Sequence, residues 1–416
     1  MERHRSAALG VLLALTTSAT VATAQSAESS TSTANAATKP ASDSAGKVTL
    51  AAKPFPDSAA KAAYDSALVA NAIPAFFRDI QANAFVSFGD TYNLNSPTDQ
   101  LNGLRFFDNR ANSMGLDGAE IVVQKAVSKA GDAGFRVDLV AGTALAKAQA
   151  SGLSLGTSGD LQQAFFSYIA PAGTGLRFDI GKFVTSMGYE LIEGYDGYNT
   201  NYSRSLLFNY AIPLTHTGVK ATYAFSPKVS LMGIIANGWD NAIDNNASKS
   251  VGGMLTILPA APVALYFNYM GGPEKPDTNG FVRHVFDFVG TVKVSDALSL
   301  ALNADYGLEQ GASVVKAGDD AVWSGVAGYA TITPSASPFS LGLRLETFKD
   351  DGGTRLGFGK VRANEFTITP AFKFGKNFVV RPEARYDWVD QPIFNDDNGT
   401  LKKSQGTIGI NAIFVY

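Results

Sequence analysis

The sequence predicts a transmembrane antiparallel β-barrel of about 16 strands, with short periplasmic turns, long external loops and an N-terminal helical segment. Composition gives the first indication. Of the 416 residues, 45% are hydrophobic and 17% are charged, whereas soluble domains carry about 25% charged residues. Beyond the N-terminus, no stretch approaches the ~20 consecutive apolar residues that a membrane-spanning helix needs. The apolar surplus therefore belongs either to a large soluble core or to strands that face lipid.

The N-terminus predicts export. Residues 1–24 combine basic Arg3 and Arg5, an apolar run of about ten residues, and the small-residue cleavage site Ala22-Thr23-Ala24, which together indicate a signal peptide. Residues 25–54 form a low-complexity linker of Ser, Thr, Ala and Lys. Because the chain contains no Cys, a disulfide scaffold is excluded. The formal net charge of −3 gives no basic footprint for nucleic acid.

Residues 55–81 predict an amphipathic helical segment with a kink at Pro74. Its apolar residues recur at spacings of three and four: Tyr64, Leu68, Val69, Ile73, Phe76, Phe77 and Ile80. Such a helix could plug a lumen, lie on the membrane or cover one end of a barrel, and the sequence leaves these three alternatives open.

From residue 82 to residue 416, the helical period gives way to a period of two, which indicates strands. In Phe378 to Trp388, for example, apolar and polar side chains fall on opposite faces. Three strands, near 228–237, 248–258 and 321–332, alternate poorly and are placed by their flanking turns. The predicted strands are 82–93, 113–127, 133–145, 160–170, 175–185, 214–225, 228–237, 248–258, 262–271, 282–294, 297–307, 320–332, 338–349, 362–375, 377–389 and 403–416.

The connections between these strands alternate between short and long. Seven are short and rich in turn residues, as at Ser226-Pro227 and Gly375-Lys376, and the other eight are longer and polar. Segregation of short turns from long loops is typical of an outer-membrane barrel, and a soluble sandwich has no reason to show it. The last strand ends on Tyr416, and such a terminal aromatic resembles the signal recognised by outer-membrane assembly machinery.

The polar face of the strands carries both signs of charge in near balance. Two interpretations stay open: these side chains line a hydrated lumen, or they only pair with one another and stiffen the wall. Burying so many charges without partners would cost several kcal/mol each, which favours a hydrated interior. The charged residues are Arg136, Asp138, Arg177, Asp179, Asp287, Lys293, Asp305, Arg344, Glu346, Arg381, Glu383, Arg385 and Asp387.

Several segments resemble the OmpL-like beta-barrel porin family of Gram-negative bacteria. The resemblance covers most of residues 82–416, and residues 181–240 are its most specific part. The matching stretches include Gly134-Phe135-Arg136-Val137-Asp138, Gly188-Tyr189-Glu190, Asn201-Tyr202-Ser203-Arg204-Ser205 and Asn237-Gly238-Trp239-Asp240. The resemblance implies a β-barrel in the outer membrane of a Gram-negative bacterium.

The longest loop, Ser186 to Pro213, is the third of the long loops. In similar sixteen-stranded diffusion porins, the third external loop folds into the barrel and narrows it. By this resemblance, the loop residues Glu190, Glu193, Asp196 and Arg204 would form a constriction, with the acids facing arginines such as Arg381 and Arg385. Opposed charges would set a transverse field that disfavours apolar solutes. The alternative is a solvated surface loop.

Two functions from different classes remain. The first is passive diffusion of small hydrophilic solutes or ions through a water-filled barrel, and the second is a non-transporting barrel that acts as an adhesin, a receptor or a structural protein. A soluble secreted β-protein is a more distant third. The sparse histidines, His216 and His284, show no catalytic constellation, so we expect no enzyme, no cofactor and no metal. The expected partners are outer-membrane lipid, small hydrophilic solutes, the assembly machinery and, from similar porins, two further copies in a homotrimer.

Overall fold

Sixteen long strands close into an antiparallel barrel within residues 79–416, the part of the chain that this computed structural model describes. Each strand pairs with its neighbours in sequence, and the first pairs with the last. The barrel strands are β1 (Gln81–Asn93), β2 (Gly115–Lys125), β3 (Ala133–Ala141), β4 (Gly159–Ala170), β5 (Leu176–Val184), β6 (Thr215–Ser226), β7 (Val229–Ala236), β8 (Ser250–Ala260), β9 (Val263–Pro273), β10 (Val282–Lys293), β11 (Leu298–Glu309), β12 (Ala321–Ile332), β13 (Phe339–Asp350), β14 (Val361–Phe374), β15 (Phe378–Val389) and β18 (Ser404–Val415).

The remaining elements are short and lie in the connections. Two-residue strands β16 (Phe394–Asn395) and β17 (Leu401–Lys402) pair with each other, a 3₁₀ turn spans Leu145–Ala148, and a π-helical turn spans Leu207–Ala211. Within residues 79–416, no helix combines the length and the apolar character needed to cross a membrane. The predicted signal peptide, the linker and nearly all of the predicted helical segment lie outside the described residues.

The predicted strands and connections are confirmed. Each of the sixteen predicted strands is present with ends within four residues of the prediction. The turns at one end of the barrel span at most seven residues (126–132), whereas the loops at the other end span from eight (274–281) to thirty (185–214). Closure between β1 and β18 leaves no strand edge unpaired, which is the condition for a sheet to span lipid.

Alternation along each strand separates an outward face from an inward face. In β14, Phe366 and Phe372 are exposed on the outer surface, whereas Glu365, Thr367 and Thr369 are fully buried inside. Because the outer surface contacts lipid, the exposed phenylalanines lie in an apolar environment that suits them. The polar side chains face the interior.

The interior is divided into a charged part and an apolar part. Strands β13 to β15 present arginines and carboxylates, and β7 to β10 and β12 supply most of the apolar side chains, while β3 to β6 and β11 carry further charged and polar groups. Examples of the apolar side chains are Met232, Met254 and Trp323, which pack in one cluster with the 185–214 loop, here called the inserted loop. This packing explains why the strands β7, β8 and β12 alternate poorly in sequence, since both of their faces are largely apolar.

A glycine in β12 makes room for the inserted loop. A Cβ at Gly325 would lie 2.6 Å from Leu207 Cδ1 and 2.9 Å from the backbone oxygen of Thr347. By contrast, a Cβ at Gly328, on the outer face of the same strand, would meet nothing nearer than the Leu345 oxygen at 4.0 Å.

We therefore expect Gly325→Ala to destabilise the folded barrel by about 1–3 kcal/mol through overpacking. Gly328→Ala, the matched control, should change the free energy of unfolding by less than about 0.5 kcal/mol. The measurement is guanidinium unfolding in detergent, followed by tryptophan fluorescence. Equal stability of the two variants would show that Leu207 does not press on β12.

Candidate functional site

The inserted loop runs from the end of β5 into the barrel and returns to β6. Its sequence changes character near residue 206: polar and acidic residues precede this point, and the run Leu206-Leu207-Phe208 follows it. The first half contacts the charged wall of β13 to β15, and the second half packs against the apolar wall. The amphipathic order of the loop therefore matches the two parts of the interior.

Two loop carboxylates form ion pairs with wall arginines. Glu190 Oε1 lies 2.6 Å from Arg344 Nη1, and Glu193 Oε1 lies 2.8 Å from Arg381 Nη1. Arg344 also contacts Glu365 Oε1 at 2.7 Å, so its guanidinium bridges the loop and the wall. Glu193 therefore meets one of the arginines named from the resemblance, but in direct contact instead of across water, whereas the partner of Glu190 is Arg344.

The other two loop residues predicted for the site are also paired. Asp196 lies 2.7 Å from Arg136 Nη2, and Arg136 holds Asp138 on its own strand through its Nε at 2.8 Å. Arg204 lies 3.3 Å from Glu193, within the loop itself. Asp196 is the most exposed member, with 42% of its side-chain surface accessible, so this pair sits at the wetter edge of the site.

Wall carboxylates hold the loop by its backbone. The N–H groups of Tyr202 and Ser203 donate to the two oxygens of Glu383, at 2.7 Å and 3.0 Å. Farther along the loop, Leu207 N–H donates to Glu346 at 3.2 Å. A carboxylate that accepts two amide hydrogens satisfies donors that would otherwise be buried without partners.

Wall arginines complete the arrangement by donating to loop carbonyl groups. Arg344 donates to Ser203 O at 2.7 Å, Arg381 to Asn199 O at 2.5 Å, and Arg385 to Arg204 O at 2.6 Å. Arg385 was predicted to face loop acids, but it contacts the loop backbone and pairs with wall acids. Both signs of wall charge therefore bind the same stretch of loop.

Contact between loop and wall is direct at these pairs. The side chains of Arg344 and Arg381 have no accessible surface, and that of Glu193 retains 2%. A transverse field requires opposed charges on either side of water, and these two pairs leave no water layer between them. Burial raises the pKa of the Glu193 carboxyl, but Arg204 and Arg381 outweigh burial and hold the pKa below its ordinary value. The carboxylate loses this stabilisation only when the pH falls through that lowered value.

The remaining predicted wall charges lie in separate groups. Asp387 is paired with Arg385 at 2.7 Å and with Arg105 at 2.8 Å. Asp179 is paired with Arg177 at 2.9 Å and with Lys220 at 3.5 Å.

Three further predicted charges have other environments. Asp287 and Asp305 face each other directly across β10 and β11, where the Asn303 amide donates to both. Lys293 lies at the end of its strand and pairs with Asp296 in the adjacent turn at 2.6 Å, so it contributes to the rim.

Sequence reasoning missed three residues that anchor the loops. Glu365 shares the inward face of β14 with Thr367 and was identifiable from the period of two. Glu120 accepts the Tyr195 N–H at 2.6 Å, and Arg105 comes from the first long loop. Neither of these two carried a periodic signal, because β2 contains a register shift and loops have no period.

The described residues contain no grouping typical of metal chemistry. Within residues 79–416, no three His, Cys, Asp or Glu side chains converge to hold an ion. His216 is buried, with its ring nitrogens near Gly238 O at 3.4 Å and Thr185 Oγ1 at 3.3 Å, and His284 meets the Tyr269 hydroxyl at 2.9 Å. These contacts are structural.

A closed barrel of sixteen antiparallel strands with short turns at one end, long loops at the other and a loop bound inside is the architecture of outer-membrane porins. The sequence profile of the family described as "Putative beta-barrel porin-2, OmpL-like" matches residues 79–416. The chain belongs to this family, which places it in the outer membrane of a Gram-negative bacterium. A search of curated proteins found no match.

Solved porins share the fold at low sequence identity. An anion-selective porin from Comamonas acidovorans is 8% identical, with a TM-score of 0.54 over 81% of this chain and 99% of that chain. OmpF of Salmonella typhi, in complex with daunomycin, is 12% identical, with a TM-score of 0.55 over 80% and 97%. OmpT of Vibrio cholerae in a trimer form is 11% identical, with a TM-score of 0.51 over 81% and 99%.

The Glu193–Arg381 pair provides a test of how the loop is held. Glu193→Gln and Arg381→Gln should each destabilise the protein by about 3–5 kcal/mol, because each leaves a buried charge without its partner. The loss of unfolding free energy in the double variant should be smaller than the sum of the two single losses by about 0.5–3 kcal/mol.

The control is the exposed pair Lys316–Asp319, where the same cycle should give a coupling energy below about 1 kcal/mol. Guanidinium unfolding in detergent supplies all the values. Additive losses at Glu193 and Arg381 would mean that the two side chains do not stabilise each other.

Proposed function

We propose that this protein lets small hydrophilic solutes or ions diffuse passively across the outer membrane, with the inserted loop setting the cross-section of the path. The observation that carries the proposal is a loop bound by charged side chains inside the barrel of a porin-family protein. Channels of this kind take their selectivity from the width of the passage and the charges along it.

Partly exposed charges on the side of the interior opposite the charged wall support a hydrated path. Arg136, Arg177 and Lys220 are each partly exposed and lie on the side of the interior away from Arg344. Partly exposed charges interact with ions and polar molecules better than with apolar ones. We do not expect enzymatic chemistry, since the family is described as one of β-barrel porins.

A second candidate is a barrel that does not transport. The observation that favours it is the filled interior: the inserted loop packs Leu206, Leu207 and Phe208 against the apolar wall, and its ion pairs with β13 and β15 are buried. A barrel closed in this way could present its long loops to a partner outside the cell.

We also propose how the protein reaches its working state. Residues 1–24 are removed as a signal peptide, the barrel strand β18 is recognised by the assembly machinery, and lipid surrounds the folded barrel. By analogy with OmpT of Vibrio cholerae, which has been solved in a trimer form, the protein assembles as a homotrimer.

Planar-bilayer recording separates the two candidates. The full-length protein should give stable current steps, and Glu190→Gln with Glu193→Gln should shift the reversal potential toward anion preference, since Arg344 and Arg381 keep their charge. Asp319→Asn, in an exposed loop, is the control and should leave the reversal potential unchanged. No current from correctly folded protein would favour the non-transporting barrel.

A disulfide lock tests whether solutes pass while the loop stays in place. Asn201 Nδ2 lies 2.8 Å from Thr369 Oγ1, so the loop and β14 meet there, and the chain has no native Cys to interfere. In Asn201→Cys with Thr369→Cys, oxidation should leave conductance within about twofold of the reduced protein. Either single Cys variant is the control. Loss of current on oxidation that a reductant restores would make the loop a gate that has to leave the wall.

A further inference from the structure

The outer surface of the barrel carries a groove across β9 to β13, with a volume of about 450 Å³. This volume lies within the ~300–1,000 Å³ usual for ligand sites. Outward-facing side chains line it: the aromatic rings of Phe267, Phe286 and Tyr306 lie on β9 to β11, and the polar Ser324, Thr347 and Lys349 lie on β12 and β13.

Strand register explains the shape of the groove. Phe286, Tyr306, Ser324 and Lys349 form one row of directly opposed residues across β10 to β13. The next row, toward the short turns, contains Ala304. Large aromatic rings on β9 and β10 are thus followed by the small side chains of Ala304 and Ser324 on β11 and β12. This change in size leaves a depression between the aromatic rings and Lys349.

A second cation, Arg362, lies beside Lys349. Lys349 on β13 is directly opposite Arg362 on β14, and the next opposed pair is Thr347 and Asn364. Like charges facing each other across two strands destabilise a sheet unless something compensates them. Among the described residues, neither the Lys349 nor the Arg362 side chain forms an ion pair, and the outward positions of β10 to β15 include no carboxylate; Asp390, just beyond β15, accepts the backbone N–H of Arg362 at 3.1 Å.

The position of Lys349 and Arg362 along their strands shows which part of the membrane surrounds them. Lys349 is the penultimate residue of β13, and Arg362 is the second of β14, so both adjoin the long loop 351–360. Long loops of outer-membrane barrels are external. The two cations therefore lie near the headgroups of the external leaflet, while the groove extends from them toward the hydrocarbon.

We propose that this surface binds one phosphorylated lipid of the external leaflet, of the lipid A kind. Its phosphate accepts hydrogen bonds from Lys349 and Arg362, whose charges it neutralises, and Asn364 and Thr347 add donors beside them. One acyl chain fills the groove over Ala304 and Ser324, against the ring of Tyr306. A soluble anion would contact the two cations but not the apolar groove, whereas an anionic lipid would contact both.

Native mass spectrometry of the delipidated full-length protein in detergent tests this proposal, with diphosphoryl lipid A as the titrant. We expect one lipid A to remain bound per chain. Lys349→Gln with Arg362→Gln should weaken binding on the order of tenfold. Ser324→Leu should also weaken it, because the leucine fills the groove while remaining compatible with lipid. Lys316→Gln, which removes a cation from an external loop, should bind as well as the unaltered protein.

Two comparisons distinguish the source of the affinity. Lipid A without phosphate should bind the unaltered protein about as weakly as diphosphoryl lipid A binds the double variant, and phosphatidylglycerol, with one phosphate and two chains, should bind less tightly than lipid A. Equal binding of diphosphoryl lipid A by all variants would overturn the proposal. A change of oligomeric state in Ser324→Leu or the double variant, without a change in lipid binding, would overturn it and assign the surface to an interface between copies of the chain.

Discussion

Satisfaction of buried backbone hydrogen bonds is the constraint on which the rest of this structure depends. In lipid, a sheet can exist only if it closes, and pairing of β1 with β18 completes that closure. The same constraint then applies inside the barrel, because the inserted loop is an irregular chain that is largely shielded from water. Its N–H and C=O groups cannot pair with a strand, so charged side chains on the wall take that role.

The charged wall residues therefore serve to bind the backbone of the inserted loop. Glu383 and Glu346 accept loop amides, while Arg344, Arg381 and Arg385 donate to loop carbonyls. Each arginine also pairs with at least one carboxylate, which offsets the cost of burying the guanidinium. While these ion pairs are intact, the charges that the loop uses are therefore neutralised and unavailable to solutes. Any selectivity arises from the groups that remain partly exposed and from the space that the loop leaves.

Division of the interior into two parts gives the loop a unique position. Its polar half cannot settle on the apolar wall without losing hydrogen bonds, and its apolar half cannot settle among the arginines without exposing Leu207 and Phe208 to charge. Gly325 sharpens the fit by allowing close approach at one point. On the outer surface, the small side chains of Ala304 and Ser324 leave the space that forms the groove. Side-chain size therefore determines the shape of both faces of the sheet.

The sequence by itself determined the strands, their faces and the segregation of short turns from long loops, because a period of two and the chemistry of turns are local properties. Through its resemblance to known porins, it also indicated that loop acids such as Glu193 would face wall arginines such as Arg381, without assigning one acid to one arginine. It did not predict that Glu190 meets Arg344, that Arg385 binds a loop carbonyl, or that Arg105 reaches Asp387. Only the tertiary structure decided these pairings, because periodicity assigns a side chain to a face of the barrel but gives neither its height nor the path of an irregular loop through the interior.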